Sequence, residues 1–466
     1  MTSTLGTPEN PLRVAIIGAG PSAFYAAEHL LKQLGDGVKV DMFEHLPTPF
    51  GLVRGGVAPD HAKIKSVTRV YDRIASNPNY RFFGNVTYGK DISHDDLQKH
   101  YHAVIYAVGA QADRKLGIPG EDLPGNHPAT EFVAWYNGHP DYRHLEFDLS
   151  QERVAVIGIG NVAMDVARIL ARTDEELRAT DIADHALEAL ANSQVKEIYL
   201  LGRRGPVQAK FTPKELKEMG ELAAADLIVD PRDLELDPHS QEYLETANDR
   251  DAQRNYELLQ EFAQRPPSGK PKKIYLRFLT SPVEVLGTER VEGLKVVRNE
   301  LYKRDDGSIR PRPTDEYETL PVGLVFRSIG YRGVPLPEVP FDDWYAVIPN
   351  EKGRVTQDGQ QVIGEYAVGW IKRGPTGVIG TNKPCAQESV NMLLEDMQAG
   401  KVIAPENPDP AAVEALLRER GVRYVTYDDW RILDQLEVER GKAVGRPRVK
   451  FTSIEEMLAA LDAHKA

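Results

Sequence analysis

The chain has 466 residues, roughly three times the length of a ~150-residue domain, so two or three domains are expected. Its 41% apolar and 27% charged residues suit a globular protein with a sizeable core, and a formal charge of −13 argues against general adhesion to nucleic acid or anionic membrane. The single cysteine, Cys385, excludes an internal disulfide, a CxxC redox pair and an iron–sulfur cluster ligated by this chain alone. No metal site is expected. A polar opening and the lack of an 18-residue apolar run point to the reducing cytoplasm and away from membrane insertion.

The first informative stretch is residues 13–17, Arg-Val-Ala-Ile-Ile, a short apolar run of the kind buried on both faces of a parallel sheet. It runs into Gly18-Ala-Gly20-Pro-Ser-Ala23, then a helical pattern over 24–31, then a second strand over 38–43 ending in Glu44. This is a βαβ unit with a Gly-x-Gly-x-x-Ala turn and an acid 26 residues after the first glycine. Gly18 would permit the tight turn, Gly20 a close approach to a pyrophosphate, and small Ala23 the packing of helix on strand. Glu44 would accept from a ribose diol.

The same grammar returns at 153–171. A strand leads into Gly158-Ile-Gly160-Asn161-Val162-Ala163 and a helix, and residues 173–194 insert an extra helical segment. The following strand, 197–201, ends in Gly202-Arg203-Arg204-Gly205. An acid in that place would repel a 2′-phosphate, whereas guanidinium groups bind it, so this second unit is predicted to take NADP(H) and the first FAD. The other reading of Arg203 and Arg204 is a solvated turn. Residues 265–277 hold five cations (Arg265, Lys270, Lys272, Lys273 and Arg277) and no acid. They are a candidate docking patch for an acidic partner, or a solvated loop before a strand.

Apolar strands running into Gly109 and Gly330 mark crossovers between two domains. The expected architecture is α/β, with two Rossmann-like dinucleotide-binding domains on parallel central sheets. The NADP domain, 113–329, is inserted into a split FAD domain, 1–112 and 330–466. Gly377 and Gly380, with Pro384 opening a helix, form a close-approach loop whose helix would point its positive end at a flavin, unless the glycines serve a plain turn. Residues 401–466 are polar and loop-rich, with helical pieces at 411–420 and 453–464, and read as an extension covering one face.

The segments 18–24, 46–54, 56–65, 202–212 and 369–383 together resemble the adrenodoxin-reductase family of NADPH–ferredoxin reductases in its actinobacterial form, which are glutathione-reductase-like flavoproteins with two dinucleotide domains. The resemblance runs nearly end to end. It implies FAD contacts at Ala23, Glu44, Leu52, Val86, Trp370, Gly377, Val378 and Ile379. It implies NADP contacts at Asn161, Val162, Arg203, Arg204, Glu215 and Gly377, with His61 and Glu218 beside the nicotinamide. It further implies hydride transfer from NADPH to FAD and single electrons to a ferredoxin-type iron–sulfur protein, a cytochrome P450 being a common destination. Read on their own residues, His61 could open a helix with Asp60 as its cap, and Glu215 could complete a capping box with Thr212. Glu218 could be a solvated charge, and Asp165 is expected to be structural. A quinone or oxygen acceptor, and a noncatalytic dinucleotide sensor, are the competing functions.

Overall fold

The computed structural model describes residues 4–465. The chain divides into two compact units, the first made of Met1–Val57, His61–Ala112 and Tyr331–Ala466, the second of Ala58–Asp60 and Asp113–Gly330.

The first unit is built on a seven-stranded sheet. Its spatial order is Asn350–Glu351, Arg354–Gln357, Gln360–Ala367, Ala103–Tyr106, Leu12–Ile17, Val38–Glu44, Tyr80–Gly84. The five strands from Gln360–Ala367 to Tyr80–Gly84 are parallel, and the first two form an antiparallel tail. Every residue of Leu12–Ile17 is buried, because helices cover both faces of the strand. The second unit carries a six-stranded parallel sheet in the order Asn126–Pro128, Leu324–Arg327, Arg153–Ile157, Glu197–Leu201, Lys272–Arg277, Ala225–Val229. The architecture is thus the expected α/β one, with two Rossmann-like sheets, the second interrupting the first.

Two features depart from the sequence reading. Residues 280–320 form an antiparallel sheet of Thr280–Leu286, Gly293–Lys303 and Ile309–Leu320, which the charged, proline-bearing third strand conceals in the sequence. The carboxy-terminal extension is more regular than a loop-rich cover. Besides helices Pro410–Glu419 and Ile454–Lys465 it contains the 17-residue helix Tyr427–Ala443. A capping box at Thr426 and Asp429 starts that helix, and Trp430 and Leu433 sit in the core. At its centre Glu437 is fully buried, accepting from Arg54, Arg448 and the Phe451 N–H. Burial alone would push its carboxyl up, but the two guanidiniums hold it below the usual range. The insertion, by contrast, resolves into helices Asp174–Arg178 and Asp184–Ala191, as its composition suggested.

Candidate functional site: two glycine turns and an arginine cluster

In the first unit the turn after Leu12–Ile17 needs glycine for a physical reason. Gly18 has φ +104°, and a Cβ there would lie 2.4 Å from the carbonyl oxygen of Ala107, just past the end of the neighbouring strand. Gly20 is different. Outside its chain neighbours, the nearest atom to a Cβ would be Gly51 Cα at 4.0 Å, so the missing side chain leaves room above the helix end. That helix, Pro21–Leu34, has Gly20 as N-cap and no side-chain cap, so the turn aims backbone N–H groups into this room. Ala23 is fully buried against the strand.

Glu44 is held hard against this turn. Its carboxylate accepts from the Ala19 N–H at 3.1 Å and the Leu46 N–H at 3.2 Å, and His45 Nδ1 lies 2.7 Å away. Burial would raise its pKa, yet these partners hold it below the usual range, so it stays an anionic acceptor. Buried Val86 donates its N–H to the Glu44 carbonyl at 2.9 Å. Phe50, followed by Gly51 and Leu52, has φ +87° while its N–H bonds the Ala19 carbonyl at 2.8 Å. Rings of Phe24, Tyr71 and Trp430 within 5.9 Å lock it there. A bulky residue in this conformation is strained, and strain of this kind collects at ligand-holding loops.

Gly369 closes the same end of the sheet. A Cβ there would strike Ser22 Oγ at 2.6 Å, so the chain passes directly over the first helix and sets Trp370 beside the turn. Trp370 Nε1 donates to the Thr376 carbonyl at 3.1 Å, which ties it to the Gly377–Ile379 loop. Gly377 has φ +80°, Val378 is exposed, and helix Asn382–Gln398 follows with Pro384 in its first turn. Gly18, Gly20, Ala23, Glu44, Leu52, Val86, Trp370 and the 377–379 loop therefore gather at the carboxyl ends of the parallel strands, where open α/β sheets hold ligands.

The second unit repeats the turn. Gly158 has φ +131°, and a Cβ would lie 2.0 Å from Ser328 O, whereas at Gly160 nothing lies within 4 Å. Helix Asn161–Ala171 again has no side-chain cap. Asn161 Oδ1 accepts from the Thr212 N–H at 3.1 Å, so this side chain also anchors the next helix, and Val162 packs on the core. Arg203 is exposed and Arg204 half-buried, and no carboxylate is bonded to either among the described residues. Burial, then the charges of Arg203 and Arg310, lower the pKa of Arg204. Guanidiniums crowded together without a counter-ion have the chemistry to receive an anion.

The capping-box reading of Glu215 is half right. Thr212 Oγ1 accepts the Glu215 N–H at 3.3 Å, but the Glu215 carboxylate turns to Arg168 Nη1 at 3.1 Å. Arg168, 0% exposed, also binds Asp60 in a fork at 2.7 and 3.0 Å and Asp165 at 2.7 Å. A buried cation of that kind outcompetes a helix N-terminus for the carboxylate. For the same reason Asp60 caps no helix. It is paired to Arg168 and to Arg172 at 2.6 Å, and His61 opens the short helix Ala62–Lys65 without a side-chain cap. Asp165 is structural, as expected. Glu218, half-buried, lies 3.6 Å from Lys214 Nζ. His61 belongs to the first unit, and Glu215 and Glu218 to the second.

Residues 12–201 match the family model described as pyridine nucleotide-disulphide oxidoreductase. Over 456 residues, 96% of this chain and 98% of the relative, it is 47% identical to NADPH-ferredoxin reductase FprA of Mycobacterium tuberculosis. The chain belongs to the NADPH–ferredoxin reductase family. The human mitochondrial NADPH:adrenodoxin oxidoreductase is 43% identical over 98% of this chain and 93% of its own. The solved structure of M. tuberculosis FprA in complex with NADPH superposes with a TM-score of 0.91, at 46% identity over 97% and 100% of the two chains.

Within this NADPH–ferredoxin reductase family member there is no second cysteine to form a redox disulfide, and Cys385 Sγ accepts the Gly369 N–H at 3.3 Å. The basic stretch keeps fewer cations for a partner than its composition suggests. Lys270 and Lys272 donate to the Leu222 and Leu170 carbonyls at 2.8 and 2.7 Å, and Arg277 to Glu318 at 2.8 Å. Lys273 is half-buried, and Arg265, exposed, lies over the Phe262 ring. Among the described residues no helix is long and apolar enough to cross a membrane. Sequence reasoning did not single out Arg310, whose charge acts on Arg204.

Proposed function

We propose that this chain is an NADPH:ferredoxin oxidoreductase acting in the reducing cytoplasm, with FAD in the first unit and NADP(H) in the second. The observation that carries this reading is the pair of open glycine turns with opposite endings: anionic Glu44 in one, uncompensated Arg203 and Arg204 in the other. The room left at Gly20 and at Gly160 fits a pyrophosphate at each uncapped helix end. FAD, when bound, supplies the conversion of a two-electron hydride into single electrons.

The residues divide the work. Glu44 accepts from the adenosine ribose while its own partners keep it ionised. Trp370 and the 377–379 loop shape the wall of the flavin site, and the end of helix Asn382–Gln398 offers N–H donors where negative charge develops. Arg203 and Arg204 grip the 2′-phosphate, and Glu215 and Glu218 border the nicotinamide riboside. His61 orients the reacting end. The partner is a ferredoxin-type iron–sulfur protein, and of the five basic residues, Arg265 and Lys273 carry most of any docking role.

Anaerobic addition of NADPH should bleach the flavin absorbance near one equivalent, with NADH much less effective, and should support ferredoxin-dependent cytochrome c reduction. A flavin band untouched by NADPH would reduce the protein to a dinucleotide sensor. A bleached flavin that ferredoxin cannot reoxidise would point to a quinone or oxygen acceptor instead.

A further inference from the structure

The loop that carries Arg203 and Arg204 is pinned at each residue through its backbone. The Gly202 carbonyl accepts the Thr280 N–H at 2.8 Å, and the Arg204 carbonyl accepts the Leu279 N–H at 3.0 Å. The Gly205 N–H donates to Gln208 Oε1 at 3.0 Å. The Arg203 carbonyl alone is held by a side chain of the antiparallel sheet: Asn299 Nδ2 donates to it at 2.8 Å and to Ser281 Oγ at 2.7 Å. Asn299 is 4% exposed, and the ladder to the third strand shifts just before it, between Val297, paired with Tyr317, and Asn299, paired with Pro313. Leu301, two residues on along the same face, lies 3.5 Å from where a Cβ of Gly205 would be. The Asn299 N–H also bonds the Leu279 carbonyl at 2.7 Å. Leu279 is therefore clamped between Asn299 and Arg204, and it is held at φ +51°. A bulky residue keeps that conformation only where its surroundings over-determine it.

We propose that Asn299 is a positioning residue of the 2′-phosphate site: it aims Arg203 and Arg204 without touching the nucleotide, so a strand outside the dinucleotide fold helps to set the preference for NADPH. The inference rests on the NADP(H) reading of the second unit. The side chains of Arg203 and Arg204 make no hydrogen bond among the described residues, so the backbone that carries them sets their direction. Both hydrogens of the Asn299 amide are spent on the Arg203 carbonyl and Ser281, which leaves no donor for a ligand. Guanidinium groups meet a phosphate best in a narrow, forked geometry, and a loop already fixed in place gives up less freedom when the anion arrives. Removing the amide leaves the arginines their charge and takes away their preset direction.

The test compares 2′,5′-ADP with 5′-AMP by calorimetry on the flavin-loaded enzyme, for wild type and Asn299→Leu, which keeps the shape without the donors, with Arg203→Ala and Arg204→Ala alongside. Thr314→Val is the control. Thr314 Oγ1 donates to the Arg298 carbonyl at 2.8 Å, so its loss weakens the same hairpin without untying the loop. Asn299→Leu should weaken 2′,5′-ADP about fivefold, the scale of one net hydrogen bond, and 5′-AMP by less than twofold. Its KM for NADPH should rise while kcat stays put. Because the cations remain, 2′,5′-ADP binding should keep its salt dependence in Asn299→Leu and lose part of it in Arg203→Ala. Thr314→Val should move neither nucleotide. If Asn299→Leu does not load flavin, Asn299→Ala makes the same comparison without the added apolar bulk. Equal weakening of both nucleotides, no change for 2′,5′-ADP, or the same loss in Thr314→Val overturns the proposal while the site survives, provided Arg203→Ala and Arg204→Ala still discriminate. If those two are silent as well, the NADP(H) reading falls and takes the proposal with it.

Discussion

Replacing Arg168 by methionine is the most demanding test of the second unit. Its guanidinium is 0% exposed and makes four charged hydrogen bonds to three carboxylates: Asp60 at 2.7 and 3.0 Å, Asp165 at 2.7 Å and Glu215 at 3.1 Å. Methionine fills much of the volume but takes from three acids the cation they share, with Arg172 still paired to Asp60. Breaking a buried pair by removing one partner costs about 3–5 kcal/mol, because the remaining charge stays desolvated. For a unit of this size that is a fall of roughly 10 °C in Tm. The pH dependence gives a second, sharper readout. Burial alone would raise the Asp60 pKa, but Arg168 and Arg172 hold it far below the usual carboxylate range. In the wild type this pairing therefore stabilises above the unfolded carboxylate value of about 4 and is lost as pH falls through the lower folded value. In Arg168→Met the abandoned acids take up protons more readily when folded, so acidification from about pH 7.5 to 5.5 should narrow the gap between variant and wild type. Thermal unfolding followed by circular dichroism across that range measures both effects. A destabilisation under 1 kcal/mol, or one that does not change with pH, would refute the reasoning.

Gly18→Ala and Gly20→Ala should separate folding from cofactor retention. The first sets a Cβ 2.4 Å from Ala107 O at φ +104° and should cost at least about 2 kcal/mol along with flavin. The second meets nothing closer than 4.0 Å and should keep its Tm while the ratio of flavin to protein absorbance drops. Full flavin content in Gly20→Ala would contradict the pyrophosphate reading. His94 bonds Glu365 at 2.6 Å, and that bond, against the opposing effect of burial, raises its pKa. Its contribution of about 1 kcal/mol, discounted for partial exposure, is full below the unfolded value of ~6.5 and is lost as pH rises through the folded one. Urea titrations of His94→Gln should accordingly show a deficit at pH 6 that closes by pH 9, and a constant deficit would argue against it.

What could be read in advance was whatever lies in the local backbone. Gly18 and Gly158 are required by positive φ and a carbonyl at contact distance, and both facts leave a Gly-x-Gly signature between a strand and a helix. Glu44 and Arg203 stand at strand ends fixed by the same repeat. Helix Tyr427–Ala443 left a legible start in Thr426 and Asp429, but its apolar stripe is broken by Glu437, acceptable in the core only because Arg54 and Arg448 arrive from elsewhere. The Glu215 carboxylate leaves the expected capping box for Arg168, 47 residues away, which no local spacing signals. Lys272 looks solvent-bound in the sequence, yet it reaches the last turn of helix Asn161–Ala171 and is spent on Leu170 O, a contact that no spacing predicts.

The strand order of the first unit also dictates how the polypeptide must be born. Ala103–Tyr106 leaves the ribosome with Leu12–Ile17 ready beside it, but its other neighbour, Gln360–Ala367, is encoded after the whole of Asp113–Gly330. At the usual 5–20 residues per second, that delay is on the order of ten seconds to a minute. During it the nascent sheet ends in an apolar edge with open N–H and C=O groups, the kind of surface that recruits stray strands. The interrupting unit, whose sheet is drawn from one uninterrupted stretch of chain, can complete itself in that interval. Slowing translation beyond residue 330 should therefore lengthen the exposure of that edge and favour aggregation over assembly.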